Sequence, residues 1–396
     1  MNTGGYQCIA ITTNLWTWIQ PFLKLIGPKC HIHIMERRTF LKSTGILALS
    51  MVLGKWATGS IVKTKNRAPM IKNPELNTIL SSWEGNPIDE NGRFVNHEFP
   101  MKNSFGDALK WMLQRNPKRK IKKEDKWRMQ VVKDDSFLRS KEDVIVLLGH
   151  ASFFIRVGGR QVLIDPIMGS VPLKKRYTEF PIATDKLVDI DYVLVSHAHY
   201  DHCDKASLVT LHRQNPNAKF LTGLNMSTLL KDWVKTSEIQ EAGWYQEYNL
   251  DDSLQIYFLP SRHWSNRRIG DENAYLWGAF VLKSGERTIY FGGDSGYGSH
   301  FREVGELFPN IDVALIGAGA YAPRWFMSPN HQDPEHAVRA FNDTKAKMMV
   351  PFHYGTFDMS DEPLSEPEAI LKSLARNNKV QGELKIAKVG EALSLG

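Results

Sequence analysis

The chain has 396 residues, with 50 Lys and Arg against 43 Asp and Glu and 42% hydrophobic residues, which excludes a disordered chain. Its 29 Gly and 19 Pro exclude collagen-like and low-complexity classes. Three cysteines (Cys8, Cys30 and Cys203) exclude a disulfide scaffold and a Cys₄ zinc site. The longest apolar run, Gly45 to Gly54, is about half of the roughly 18 residues that a membrane-spanning helix needs.

Residues 1–60 read as an address. Glu36-Arg37-Arg38-Thr39-Phe40-Leu41-Lys42 resembles a twin-arginine export signal, and the weakly apolar Ser43 to Leu53 follows as an h-region should. Glu36 stands where Ser or Thr is usual, and no clean Ala-x-Ala cleavage site follows. Met35, directly before the motif, is the expected true start. The expected location is exported, periplasmic or membrane-associated, with a cytoplasmic protein as the alternative.

Residues 61–140 form a polar, partly helical segment. Phe105, Leu109, Met112 and Leu113 fall at i, i+4, i+7 and i+8, one apolar helix face. Residues 101–133 hold 11 Lys and Arg against 3 Asp and Glu, including the run Lys118-Arg119-Lys120, whereas the rest of the chain is nearly balanced. A basic cluster beside an apolar helix face suits an anionic surface, and it suits packing on the main domain as well.

Residues 141–396 change texture. Short apolar runs bounded by Gly, Pro and Asp predict strands at Val144–Leu148, Phe153–Val157, Gln161–Ile164, Tyr192–Ser196, Leu254–Leu259, Tyr275–Leu282, Thr288–Phe291, Val313–Ile316 and Met348–Pro351. Helical patterns fall at Lys205–Arg213, Met226–Lys235, Pro334–Phe341 and Glu366–Ala375, with Asp333 a good N-cap before Pro334. Strands mixed with helices, some wholly apolar, predict α/β sheets covered by helices.

Ser196-His197-Ala198-His199-Tyr200-Asp201-His202 directly follows one of those strands. Four ligand-type side chains within six residues at a strand end make a metal-site arrangement. One strand end cannot aim them all at a single ion, so the spacing suggests two ions. Cys203 reads as a small buried filler.

This segment resembles the H-x-H-x-D-H motif of the metallo-β-lactamase superfamily. Pro260-Ser261-Arg262-His263-Trp264, Gly292-Gly293-Asp294-Ser295-Gly296 and Pro351-Phe352-His353-Tyr354-Gly355 resemble its later ligand positions. The resemblance implies an αββα sandwich, two mixed sheets flanked by helices. It implies two Zn²⁺ per chain: His197, His199 and His263 on one, Asp201, His202 and His353 on the other, and Asp294 bridging.

Within the superfamily the chain resembles N-acyl-phosphatidylethanolamine-hydrolysing phospholipase D. The resemblance runs from about residue 83 to about 360, through Gly92-Arg93-Phe94-Val95-Asn96, Leu148-Gly149-His150-Ala151-Ser152, Leu163-Ile164-Asp165-Pro166-Ile167, Leu276-Trp277-Gly278 and Asn330-His331-Gln332-Asp333-Pro334-Glu335-His336. It implies a phosphodiesterase releasing N-acylethanolamine and phosphatidic acid by a metal-bridging hydroxide. Asp201, Asp294 and His331 are then catalytic, with His331 giving the leaving alkoxide a proton or stabilising its charge. Asp165 orients a zinc-bound histidine, and His150 does the same or ends its strand. Trp264, Tyr297, Tyr321, Trp325 and Phe326 could line an acyl groove.

The implied partners are a phospholipid substrate and a peripheral membrane surface, with no nucleic acid and a homodimer left open. The alternatives are a lactonase or soluble phosphodiesterase of the same fold, then a nuclease, then a non-catalytic zinc- or lipid-binding protein.

Overall fold

A computed structural model describes residues 69–395, apart from 97, 99–103, 173 and 251–253. The export motif and the proposed start at Met35 lie outside the described residues.

The elements run β1 (Met70–Ile71), β2 (Asn86–Pro87), α1 (Phe105–Leu113), α2 (Arg119–Glu124), β3 (Val144–Gly149), β4 (Ser152–Val157), β5 (Arg160–Ile164), β6 (Tyr192–Val195), α3 (Lys205–Gln214), β7 (Lys219–Gly223), α4 (Ser227–Val234), β8 (Ile239–Ala242), β9 (Gln246–Glu247) and β10 (Leu254–Leu259). They continue with β11 (Ala279–Ser284), β12 (Arg287–Phe291), α5 (His300–Leu307), β13 (Val313–Gly317), α6 (Arg324–Met327), α7 (Pro334–Thr344), β14 (Met348–Phe352), α8 (Glu366–Arg376), β15 (Glu383–Leu384) and β16 (Ala392–Ser394).

Two seven-stranded sheets form, ordered β15-β14-β13-β12-β11-β10-β9 and β16-β3-β4-β5-β6-β7-β8. Both are mixed. In the first, β12 to β15 are parallel and β10 to β12 antiparallel. In the second, β3 to β5 are antiparallel and β5 to β8 parallel.

The pleat explains the layers. In β3, Ile145 and Leu147 join the core shared with the first sheet. Val144, Val146 and Leu148 point the other way, into a core with Leu208 and Leu211 of α3 and Leu229 and Leu230 of α4. Alternate residues of one strand thus face two buried layers, so β3 reads as continuously apolar. The result is the expected αββα sandwich.

Residues 69–140 pack into this body: Phe94 and Met129 belong to the core between the sheets, and Val131 pairs with Val389. Tyr275–Leu282 does not form a strand throughout. Its ladder starts at Ala279, because the Leu276 and Gly278 N–H groups bond Leu224 O and Ser196 O instead. The pattern reading did not include β7, β8, α2, α5, α6 or the short strands β1, β2, β9, β15 and β16. No helix among the described residues is long and apolar enough to cross a membrane.

Candidate metal centre

The parallel strands place the site. Their C-terminal ends open on one edge of the sandwich, where α/β folds collect ligands. The second sheet delivers Asp165 after β5 and Ser196 to His202 after β6. The first delivers His263 after β10, Asp294 after β12 and His353 after β14. The backbone there is tightly turned: His150, Asp165 and His353 have φ of 57°, 43° and 69°, a region L-residues enter at some cost. Gly293 at φ 59° shows why glycine precedes Asp294, since a Cβ would sit 2.6 Å from Gly278 O.

All seven side chains assigned by resemblance converge. His197 Nε2 and His263 Nε2 lie 2.9 and 3.1 Å from His199 Nδ1. His202 Nε2 lies 3.3 Å from His353 Nε2. Asp201 Oδ2 is 3.7 Å from the first and 3.6 Å from the second of these. Asp294 Oδ2 sits between the groups, 3.2 Å from His202, 3.1 Å from His353 and 3.8 Å from His263.

The rear nitrogens set the imidazoles. Asn330 O, which can only accept, lies 3.1 Å from His263 Nδ1, so that atom carries the proton and Nε2 offers its lone pair to the centre. His197 Nδ1 is 2.9 Å from Ser196 Oγ. His202 Nδ1 is 2.7 Å from Asp165 Oδ2. Asp165 also accepts from the Ser196 N–H at 2.7 Å and Oγ at 2.5 Å.

Burial holds His197 and His263 well below the usual histidine range and His199 at about 4, so all three are neutral, the ligand form. Burial acts the same way on His202 and His353, but Asp294 and Asp201 outweigh it. They push His202 well up and His353 to about 9. Burial alone would raise Asp201 and Asp294, but the facing histidines, His202 first, hold both well below the usual carboxylate range. The chain alone thus keeps protons on His202 and His353, where the carboxylates call for positive charge.

These residues fit metal ions. Asp294 Oδ1 and His199 Nε2 are buried without a hydrogen-bond partner. Imidazole nitrogens facing one another at hydrogen-bonding distance around carboxylate oxygens form a donor set that a shared cation satisfies. His197, His199 and His263 form one cluster; Asp201, His202 and His353 form another, to which His150 is added.

His150 Nε2 lies 3.0 Å from Asp201 Oδ2, so it steadies that carboxylate. It also packs its ring 4.1 Å from that of His353 and accepts the His353 N–H at 3.1 Å. His331 stands at the edge, Nδ1 3.8 Å from Asp294 Oδ2, its side chain 17% exposed. Cys203 is buried and its thiol is pushed up to about 12 by that burial, a filler. Trp264 packs its ring 4.6 Å from that of His199. Tyr297 bonds Asp343 and Tyr321 bonds Glu366, so those two hydroxyls serve packing.

Sequence reasoning missed the supports. Arg267 donates to Cys203 O at 2.6 Å and stacks over Tyr200 at 3.8 Å, bracing the motif loop. Asn96 grips the His263 backbone at 2.8 and 3.2 Å. His300 joins Glu98 to Ser295, beside Asp294. Only Asn96 had a signal, as the last residue of a quoted stretch.

Residues 160–354 match the family described as "Beta-lactamase superfamily domain". The chain belongs to the metallo-β-lactamase superfamily and is a metal-dependent hydrolase of it. Within that superfamily it is similar to N-acyl-phosphatidylethanolamine-hydrolyzing phospholipase D 1 of Caenorhabditis elegans, 31% identical over 246 residues, covering 57% of this chain and 68% of the worm protein. A UPF0173 metal-dependent hydrolase of Caldivirga maquilingensis is 29% identical over 250 residues, covering 63% of this chain and 96% of that protein. The isothiocyanate hydrolase from Delia radicum gut bacteria shares the fold, with a TM-score of 0.52 and 19% identity, covering 64% of this chain and 98% of that one.

Proposed function

We propose that the chain hydrolyses the phosphate–ethanolamide ester of N-acyl-phosphatidylethanolamine, in the manner of a phospholipase D, with two zinc ions. The observation that carries the reading is the position of Asp294 Oδ2, between the imidazoles of both clusters. The similarity to the worm phospholipase supports the substrate. Zinc bound there would supply hydroxide at neutral pH and neutralise phosphate oxygens.

The remaining work falls to the chain. Asp165, Ser196 and Asn330 fix the orientation of three imidazoles before substrate arrives. Asp294 and Asp201 hold negative charge in a buried setting and so would hold bound cations in place. Burial pushes His331 down to about 4, so its ring faces the site uncharged. It then donates a hydrogen bond from a ring N–H to the departing oxygen, rather than a proton from an imidazolium. The balanced reaction adds one water across the P–O bond: phosphatidic acid takes the hydroxyl and N-acylethanolamine the proton. The reading of residues 36–53 as an export signal completes the proposal, with the enzyme acting outside the cytoplasm or at the membrane.

The test is turnover of N-acyl-phosphatidylethanolamine, phosphatidylethanolamine and a lactone panel by protein of measured metal content. Zinc-dependent release of N-acylethanolamine, reduced about a thousandfold in Asp294→Asn, is expected. Turnover of lactones alone would overturn the substrate and leave the centre intact.

A further inference from the structure

The basic segment has two faces. Its inward face is a strap over the loops that carry His331 and His353. Trp111 of α1 is buried, its ring stacked 5.2 Å from Phe326 of α6. Asn116 Nδ2 donates to Asp361 O at 2.8 Å. Lys118 bonds Glu366 at 2.5 Å, and Lys122 bonds Asp358 at 2.5 Å. Met327, the last residue of α6, accepts the His331 N–H at 2.9 Å.

The outward face is unlike the rest of the molecule. Seven large apolar side chains are exposed among the described residues, and four lie on α1, α2 and α6: Leu109, Leu113, Ile121 and Trp325, at 38%, 78%, 62% and 39%. Leu109 and Leu113 are one turn apart on α1. Lys110 lies 4.4 Å over the Trp325 ring, which brings α1 and α6 into one patch. Around them Arg115, Arg119, Lys120, Lys123 and Lys126 are exposed. Acid does not balance them. Asp107 caps α1, Asp125 accepts from the N–H groups of Trp127 and Ser365, and Glu124 alone is exposed.

We propose that this face docks on an anionic phospholipid surface, setting the edge with His331 toward the lipid. The apolar side chains would enter the acyl boundary while the cations meet the head groups. Aliphatic Leu and Ile gain nothing from a nucleic-acid backbone, whose single-strand readers present aromatic platforms. The surface deepens the phospholipase reading and rests on it for its purpose. Binding is measured without turnover, so the two can fail separately.

The experiment is co-sedimentation of the full chain with phosphatidylcholine vesicles, with and without phosphatidylglycerol, over a salt series. Two variants are compared with the parent: Leu113→Glu/Ile121→Glu and Lys120→Glu/Lys123→Glu. All four positions are exposed or solvent-facing, and residues 1–60 stay constant. The parent should prefer anionic vesicles and weaken with salt. Each variant should bind about tenfold or more weakly, and cleavage of a water-soluble phosphodiester should not change. Variants that bind like the parent would overturn the proposal, as would a parent that binds oligonucleotides and not vesicles. Loss of vesicle binding in the variants, with no diester cleaved by the parent, would uphold the docking face and reject the phospholipase reading.

Discussion

Asp165 shows how much of the centre depends on one side chain that need not touch a metal. It is fully buried, and its two oxygens take three hydrogen bonds, from Ser196 N, Ser196 Oγ and His202 Nδ1. Asp165→Ala leaves all three groups without their partner. The expected result is metal affinity lower by about 10- to 100-fold, read by chelator competition. Stability should fall by about 3 kcal/mol, read by urea unfolding. Glu98 gives a pH prediction. Partial burial works to raise its carboxyl, but the His300 imidazole 4.0 Å away and the Ser299 N–H at 2.8 Å outweigh this and lower it to about 2. A carboxyl lower in the folded than in the unfolded chain stabilises fully above its unfolded value of about 4.3 and loses that contribution as pH falls toward 2. The stability difference between parent and Glu98→Gln should therefore shrink between about pH 5 and 2, measured by thermal unfolding across that window.

The elements were legible to the degree that their packing is local. The motif from Ser196 to His202 could be read because β6 is a short apolar strand and its ligands follow at once. His263, Asp294 and His353 lie far along the chain, and nothing in their spacing brings them together. Only the family resemblance did so, and the distances now show the convergence. β7 and α5 escaped for physical reasons. β7 begins on Lys219 and ends on Gly223, so its apolar core is too short to stand out. α5 buries His300, Phe301, Val304 and Gly305, a face half made of residues that do not read as apolar. α7 could be read from its cap. Asp333 accepts the His336 N–H at 2.8 Å and pairs with Arg324 Nε at 2.8 Å. Arg324 in turn donates to His331 O at 3.1 Å. Asp333→Ala should cost about 1–2 kcal/mol in unfolding measurements. It should lower kcat more than KM, because the loop that sets His331 loses an anchor.

At the scale of the molecule, metal loading should be coupled to protons. His202 and His353 are held protonated by Asp294 and Asp201, and a metal ion must displace those protons. Calorimetric titrations in buffers of different ionisation heat should show proton release, and apparent affinity should climb as pH rises above neutral. The two-sheet origin of the centre carries a mechanical meaning too. Each cluster takes members from both sheets: His197 and His199 with His263, and Asp201 and His202 with His353. An ion in either cluster is therefore a rivet through the sandwich, closing a loop of chain from His199 to His263 in the first and from His202 to His353 in the second. Chelation should lower the unfolding midpoint by an amount that grows with the free metal it removes, about 2.7 kcal/mol for an ion held at a hundred times its dissociation constant. Differential hydrogen exchange should find the loosening at the strand ends on that one edge of both sheets, while the distant edge stays closed.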